Sequence, residues 1–176
     1  MTMIRVPIFT DDPKFDKIAS RIYESYKNAC ILYIDEIVNP DLEAKFRARH
    51  REILNSRGDV TEKQFFHGTK ESLVDIIASN GFDPTKNRRS SYGYGVYFAK
   101  NASYSRDFMF ASEPGKPCFM FICDVLIGKV KVGGKAGDPE CDNNANAVTG
   151  DPLIVTTVYP DGAFPRYIVA FHKEAK

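Results

Sequence analysis

Net charge, metal-type cysteine pairs and long apolar runs are all scarce in this chain, and each scarcity excludes something. The net charge is +1, so there is no broad electrostatic footprint for DNA or an anionic membrane. No apolar run approaches the roughly 18 residues that a membrane-spanning helix needs. The four cysteines, Cys30, Cys118, Cys123 and Cys141, lack the paired spacing of a zinc site. Cys30 and Cys123 read as buried thiols and the whole set as reduced, which implies an intracellular protein acting in the cytoplasm, or in the nucleus by diffusion. The start Met1-Thr2-Met3-Ile4-Arg5 has no signal-peptide core, in keeping with that expectation.

The bulk of the chain is ordinary for a water-exposed fold. With 43% hydrophobic and 27% charged residues, 176 positions are enough to bury one core, so one domain over 1–176 is expected. Two basic clusters stand out locally. Lys45, Arg47, Arg49 and Arg51 read as the solvated face of a helix, whereas Lys86, Arg88 and Arg89 fall in a polar loop. Nothing points to an obligate dimer, so a monomer is expected.

Apolar periodicity predicts a helix from Pro13 to Asn28, a strand from Cys30 to Val38, and a helix from Pro40 to about Ser56 capped by Asn39. A short strand at Gln64–His67 precedes a helix over Lys70–Ser79, which Asn80-Gly81 ends. Asp83 to Ser91 has no apolar period and reads as loop. Beyond it come a strand at Gly95–Ala99, a short helix at Ala102–Phe110, a long apolar strand at Cys118–Ile127, and strands at Leu153–Tyr159 and Tyr167–Phe171. The fold class is α+β, with most strands in the second half. His50 and His172 read as surface histidines.

Two segments carry the chemistry. Phe65-Phe66-His67-Gly68-Thr69 puts a histidine and a glycine where a strand ends. Tyr92-Gly93-Tyr94-Gly95-Val96-Tyr97-Phe98-Ala99 is a glycine-loosened turn that enters a strand carrying tyrosine. Eight residues past Tyr97 stands Ser105, and eleven past it Phe108. Together these resemble the catalytic core of the poly(ADP-ribose) polymerase (PARP) family of ADP-ribosyltransferases, in its mono-ADP-ribosyltransferase branch. The likeness extends from Ile34-Asp35-Glu36-Ile37-Val38-Asn39-Pro40 to Pro165-Arg166-Tyr167-Ile168-Val169-Ala170-Phe171-His172 and covers about residues 30 to 172. It implies a PARP-like fold with a split antiparallel β-sheet core and flanking helices. About 30 residues precede it, so no helical regulatory domain is expected here.

The resemblance implies that NAD is bound as a co-substrate and cleaved at its nicotinamide bond. The ribose carbon then gains oxocarbenium character, and positioning and electrostatics do most of the work. On that reading Gly68, lacking a side chain, lets its backbone approach the carboxamide, and Ser105 adds a hydroxyl. Tyr97 and Phe108, with Phe110 as the alternative to Phe108, flank the flat nicotinamide ring. His67 donates to a hydroxyl of the adenosine-side ribose, Thr69 and Ala99 complete the site, and Arg88 or Arg89 reaches adenine or pyrophosphate from the loop. Tyr94 stands where the family commonly has lysine, and Phe108 where it has tyrosine.

The third position of the family's catalytic triad separates chain builders, which carry glutamate there, from single-transfer enzymes. Aligning the final strand puts Tyr167 at that position, with Arg166 as the alternative one residue away. Neither is a carboxylate, and a tyrosine with a pKa near 10 is a poor base at neutral pH. The triad His67, Tyr97 and Tyr167 thus implies transfer of one ADP-ribose to a protein acceptor, the chain itself included. Two rivals remain open: a catalytically silent module that binds NAD or ADP-ribose, and an enzyme that modifies nucleic-acid ends.

Overall fold

The computed structural model describes residues 2–87, 91–146 and 153–173. Their central feature is a nine-stranded sheet: β1 (Ile4–Ile8), β2 (Cys30–Val38), β3 (Thr61–Thr69), β4 (Val96–Ala99), β5 (Cys118–Ile127), β6 (Val130–Val132), β7 (Asn143–Ala145), β8 (Ile154–Thr157) and β9 (Ala163–His172). The spatial order is β1-β2-β9-β5-β3-β4-β8-β7-β6. Every pairing is antiparallel except that of β6 with β7.

Strand β5 explains the two-sided core. Its residues are buried almost throughout, and a strand alternates its side chains between faces. Phe119, Phe121, Cys123 and Val125 pack on one face with Phe65, Phe82, Phe98 and Ile77. Cys118, Met120 and Ile122 pack on the other with Phe66, Val169, Ile18 and Ile22. Helices therefore cover both faces, and β5 needs apolar residues at every position.

The helices begin where the chemistry allows. Helix α1 (Pro13–Ser25) starts with Asp12 accepting from the Lys14 N–H at 2.9 Å, and Pro13 fills its first turn. Helix α2 (Pro40–Arg57) starts the same way at Asn39, whose Oδ1 accepts from the Leu42 N–H, and ends at Gly58 in the left-handed region. The Asn39 amide also donates to Ala78 O at 3.0 Å, tying α2 to the end of α3 (Val74–Asn80). Arg47 and Arg49 of α2 are engaged by Glu62, Glu52 and Asp161, so two of the four cations of the expected basic stripe are paired.

The structure departs from expectation in several places. Cys30 is exposed at the start of β2, whereas Cys123 is buried as expected. Strand β3 reaches back to Thr61 because its polar start pairs with the end of β5. The helix expected at Ala102–Phe110 is only α4 (Ala102–Arg106), because Phe110 leaves to bridge Lys70. Strand β1 carries Pro7 at the sheet edge, where a missing N–H is tolerated. Strand β7 is nearly all asparagine. Its pairing is sustained by side chains, the Asn143 amide donating to Leu126 O and Thr156 O.

Candidate active site

Strands β3 and β4 are paired only at Phe66 and Ala99. Beyond that pair, His67, Gly68 and Thr69 lie on one arm and Tyr97 on the other. A cavity of about 440 Å3 is lined by both arms. The run Gly81–Asn87, α4 and the segment after it complete the lining. The volume is that of an ordinary small-molecule site.

Seven of the nine sequence-predicted site residues line this one cavity: His67, Gly68, Thr69, Tyr97, Ala99, Ser105 and Phe108. Arg88 and its alternative Arg89 lie outside the described residues. Tyr167 does not line it. Strand β9 is separated from β3 by β5, and Tyr167 packs with Ile122 and Phe66 against the α1 side, the Lys14 ammonium 5.8 Å from its ring. Arg166 is committed to Asp124 at 2.9 Å and Glu43 at 3.1 Å. The expectation that Tyr167 or Arg166 fills the third position is thus overturned by strand order. The strand beside Tyr97 is β8, with Thr156 opposite Tyr97 and Ile154 opposite Ala99. Tyr167→Phe is therefore expected to change NAD turnover by less than about twofold, since the phenyl ring keeps the packing with Ile122 and Phe66 and the lost hydroxyl lies away from the cavity. Steady-state rates of nicotinamide release check this.

His67 is held as a neutral ring. Its Nδ1 lies 2.8 Å from the Tyr97 carbonyl oxygen. A carbonyl can only accept, so Nδ1 carries the hydrogen and Nε2 is left as an acceptor. Burial holds the pKa below the ordinary histidine value of 6.5, although the Tyr97 carbonyl pulls the other way. Phe82 and Phe98 pack edge-on and tilted against the ring, with centroids 5.1 and 5.5 Å away. The donor role expected for His67 is thus reversed: towards a hydroxyl, its Nε2 accepts.

Gly68 is required by packing. A Cβ at that position would stand 2.0 Å from the Ser105 carbonyl oxygen and 3.2 Å from the Phe108 carbonyl carbon. The absent side chain lets α4 press against β3, which carries Ser105 and Phe108 to the cavity. Gly95, at a φ of 131°, is also obligatory: a Cβ there would meet Thr157 O at 2.3 Å. The turn that it forms is pinned by Asn144 and Thr156, which both donate to Tyr94 O, and by Asn87, which donates to Gly95 O. The Tyr97 hydroxyl donates to Gly93 O at 2.7 Å and accepts from the Tyr92 N–H at 3.0 Å. Tyr97 thus holds its own entry turn while its ring faces the cavity lining.

Aromatic backing of the walls was missed in the sequence. Tyr104 stands 5.2 Å from Phe108, and Tyr92 6.2 Å from Tyr97. The i,i+4 spacing of Tyr104 and Phe108 was the available signal. Leu73, Ile76, Ile77 and Phe82 add an apolar shelf, and Lys70 and Lys86 supply cationic lining. No cluster of metal ligands occurs among the described residues, and no described helix is long and apolar enough to cross a membrane.

A forked sheet with a histidine-glycine arm, a tyrosine arm and a serine-bearing helix is the arrangement expected of an ADP-ribosyltransferase core. Residues 14–144 match the model of the poly(ADP-ribose) polymerase catalytic domain. The chain belongs to that family. It is 28% identical over 182 residues to protein mono-ADP-ribosyltransferase PARP14 of Homo sapiens, an overlap spanning 96% of this chain and 10% of that protein. It is 37% identical over 168 residues to a probable poly [ADP-ribose] polymerase of Dictyostelium discoideum, across 89% of this chain and 49% of that protein. Against protein mono-ADP-ribosyltransferase PARP12 of Mus musculus the identity is 29% over 134 residues, across 69% and 18% respectively. The chain therefore spans between a tenth and a half of the length of these curated relatives.

Proposed function

We propose that this chain cleaves NAD, releases nicotinamide and transfers one ADP-ribose to a protein acceptor, itself included. The observation that carries the reading is the single cavity shared by His67, Gly68, Tyr97, Ser105 and Phe108 in a chain of this family. The Gly68 backbone and Ser105 take the carboxamide. Tyr97 and Phe108 flank the pyridine ring, and His67 Nε2 accepts from a ribose hydroxyl.

In the reaction the bond from the ribose C1′ to the nicotinamide nitrogen breaks. Its electron pair moves to the pyridine ring, which leaves neutral. A nucleophile oxygen, such as an acceptor carboxylate, forms the new bond to C1′. A carboxylate brings no proton to remove, so no general base is needed. Strand β8 contributes Ile154, Val155, Thr156 and Thr157 beside Tyr97. None of these four is a carboxylate that could polarise a second ribose hydroxyl, which supports transfer of one unit rather than chain growth. The homologues named mono-ADP-ribosyltransferases support this reading. We infer action as a monomer, in the cytoplasm or nucleus.

The pH dependence follows from His67. Its folded pKa lies below 6.5, so the ring is neutral at pH 7 and gains a proton only on the acid side. Protonation removes the Nε2 acceptor. Turnover is expected to stay level from neutral pH down to about 6.5 and to fall at lower pH. Stability has the same sign: the unfolded chain takes the proton at the higher pKa, so acid favours unfolding. A pH profile of kcat/KM, with thermal melts at each pH, checks both.

Incubation with radiolabelled NAD, followed by mass-spectrometric mapping, tests the function. Single ADP-ribose units on this chain or on added proteins are expected, with nicotinamide released. Label on RNA or DNA alone points to the nucleic-acid variant, and binding without nicotinamide release points to a silent module.

A further inference from the structure

Phe108 sits in a short irregular stretch between α4 and β5, where a flexible chain would let the ring drift. Two of its backbone neighbours are held by one side chain from the far end of the sequence. Lys173 Nζ donates to Arg106 O at 2.8 Å and to Met109 O at 3.2 Å. Its ammonium also lies 5.9 Å from the centre of the Phe110 ring. Arg106 is the last residue of α4; its carbonyl also accepts from the Met109 N–H at 3.2 Å, and a cation at a helix C-terminus is favoured. Met109 is buried, and Phe110 is anchored through Thr69 O and the Glu71 N–H. Both Phe108 and Phe110 line the cavity. The ammonium therefore brackets Phe108 from both sides and touches the next aromatic of the same wall.

We propose that Lys173 is a positioning residue for nicotinamide recognition: it ties the segment Arg106–Phe110 into the shape that presents Phe108 to the cavity. The inference rests on the reading that Phe108 flanks the nicotinamide ring. Three features distinguish this contact from an ordinary surface lysine. It is bidentate, it joins residues more than 60 apart in sequence, and its carbonyl partners stand two before and one after Phe108. A charge-assisted pair of bonds to carbonyls cannot be reproduced by an apolar side chain of similar length.

The test compares Lys173→Met and Lys173→Arg in the full chain. Measured are KM and kcat for NAD, binding of free nicotinamide by calorimetry, and the melting temperature. A loosened ring weakens ground-state and transition-state binding alike, so KM is expected to rise with kcat nearly unchanged. Lys173→Met is expected to raise KM for NAD and Kd for nicotinamide together by about tenfold, the loss of charged hydrogen bonds. Lys173→Arg, which keeps a cation with several donors, is expected to recover most of the loss. A fall in melting temperature with KM and nicotinamide affinity unchanged overturns the proposal and leaves a purely structural role. Arginine no better than methionine also overturns it. A wild-type chain that neither binds nor releases nicotinamide overturns the underlying reading, and the proposal with it.

Discussion

His67→Ala is expected to lower kcat/KM for nicotinamide release from NAD by roughly 100-fold or more, the range for losing a group that positions the bound dinucleotide, here through its adenosine-side ribose. The effect has three sources in the structure. Alanine removes the Nε2 acceptor. It also removes the Nδ1–H that the Tyr97 carbonyl accepts at 2.8 Å, freeing the backbone of the tyrosine arm. And it empties space against Phe82 and Phe98, whose rings pack on the imidazole. The last two cost about 1–3 kcal/mol of stability between them. Kinetics should therefore be read beside circular dichroism and a melt. A variant that folds at 25 °C yet turns NAD over at the wild-type rate contradicts the role given to His67.

Gly68→Ala is expected to be nearly as damaging, for a different reason. The added methyl would stand 2.0 Å from the Ser105 carbonyl oxygen, far inside van der Waals contact. The obstacle is backbone, so a side-chain rotation cannot relieve it. Helix α4 must move away from β3, carrying Ser105 and Phe108 from the cavity. Overpacking of this kind costs about 1–3 kcal/mol or more. The misplaced wall is expected to lower kcat/KM by about 100-fold, as an ångström-scale displacement does. A melting curve and a nicotinamide-binding isotherm separate the two consequences. Unchanged stability together with unchanged nicotinamide affinity would show that α4 does not press on Gly68 as described.

Local features of the fold were legible in the sequence because local physics dictates them. Strands β2 and β5 fall at their expected boundaries, since branched and apolar runs leave few alternatives. The starts of α1 and α2 follow from Pro13 and from Asn39-Pro40. Seven site residues converge because the two motifs sit on arms of one fork. What the sequence did not reveal was strand order. Both β8, all β-branched, and β9, apolar and aromatic, are strand-forming enough to stand beside β4, and only long-range pairing decides between them. That pairing places Ile154 and Thr156 next to the tyrosine arm and sends Tyr167 two strands beyond β3. The strand that does stand beside Tyr97, β8, reads Ile154-Val155-Thr156-Thr157, with no carboxylate among those four residues. The tautomer of His67 was also illegible, because it depends on a carbonyl 30 positions away. Strand β7 escaped notice because asparagines are poor strand formers whose side-chain bonds here outweigh propensity.

The most direct measurement is a crystal of this chain soaked with a non-cleavable NAD analogue. The account expects the nicotinamide ring between Tyr97 and Phe108, its carboxamide on the Gly68 backbone and Ser105, and a ribose hydroxyl donating to His67 Nε2. Density for the analogue elsewhere on the protein, or in the fork with its adenine end against Gly68, would contradict it.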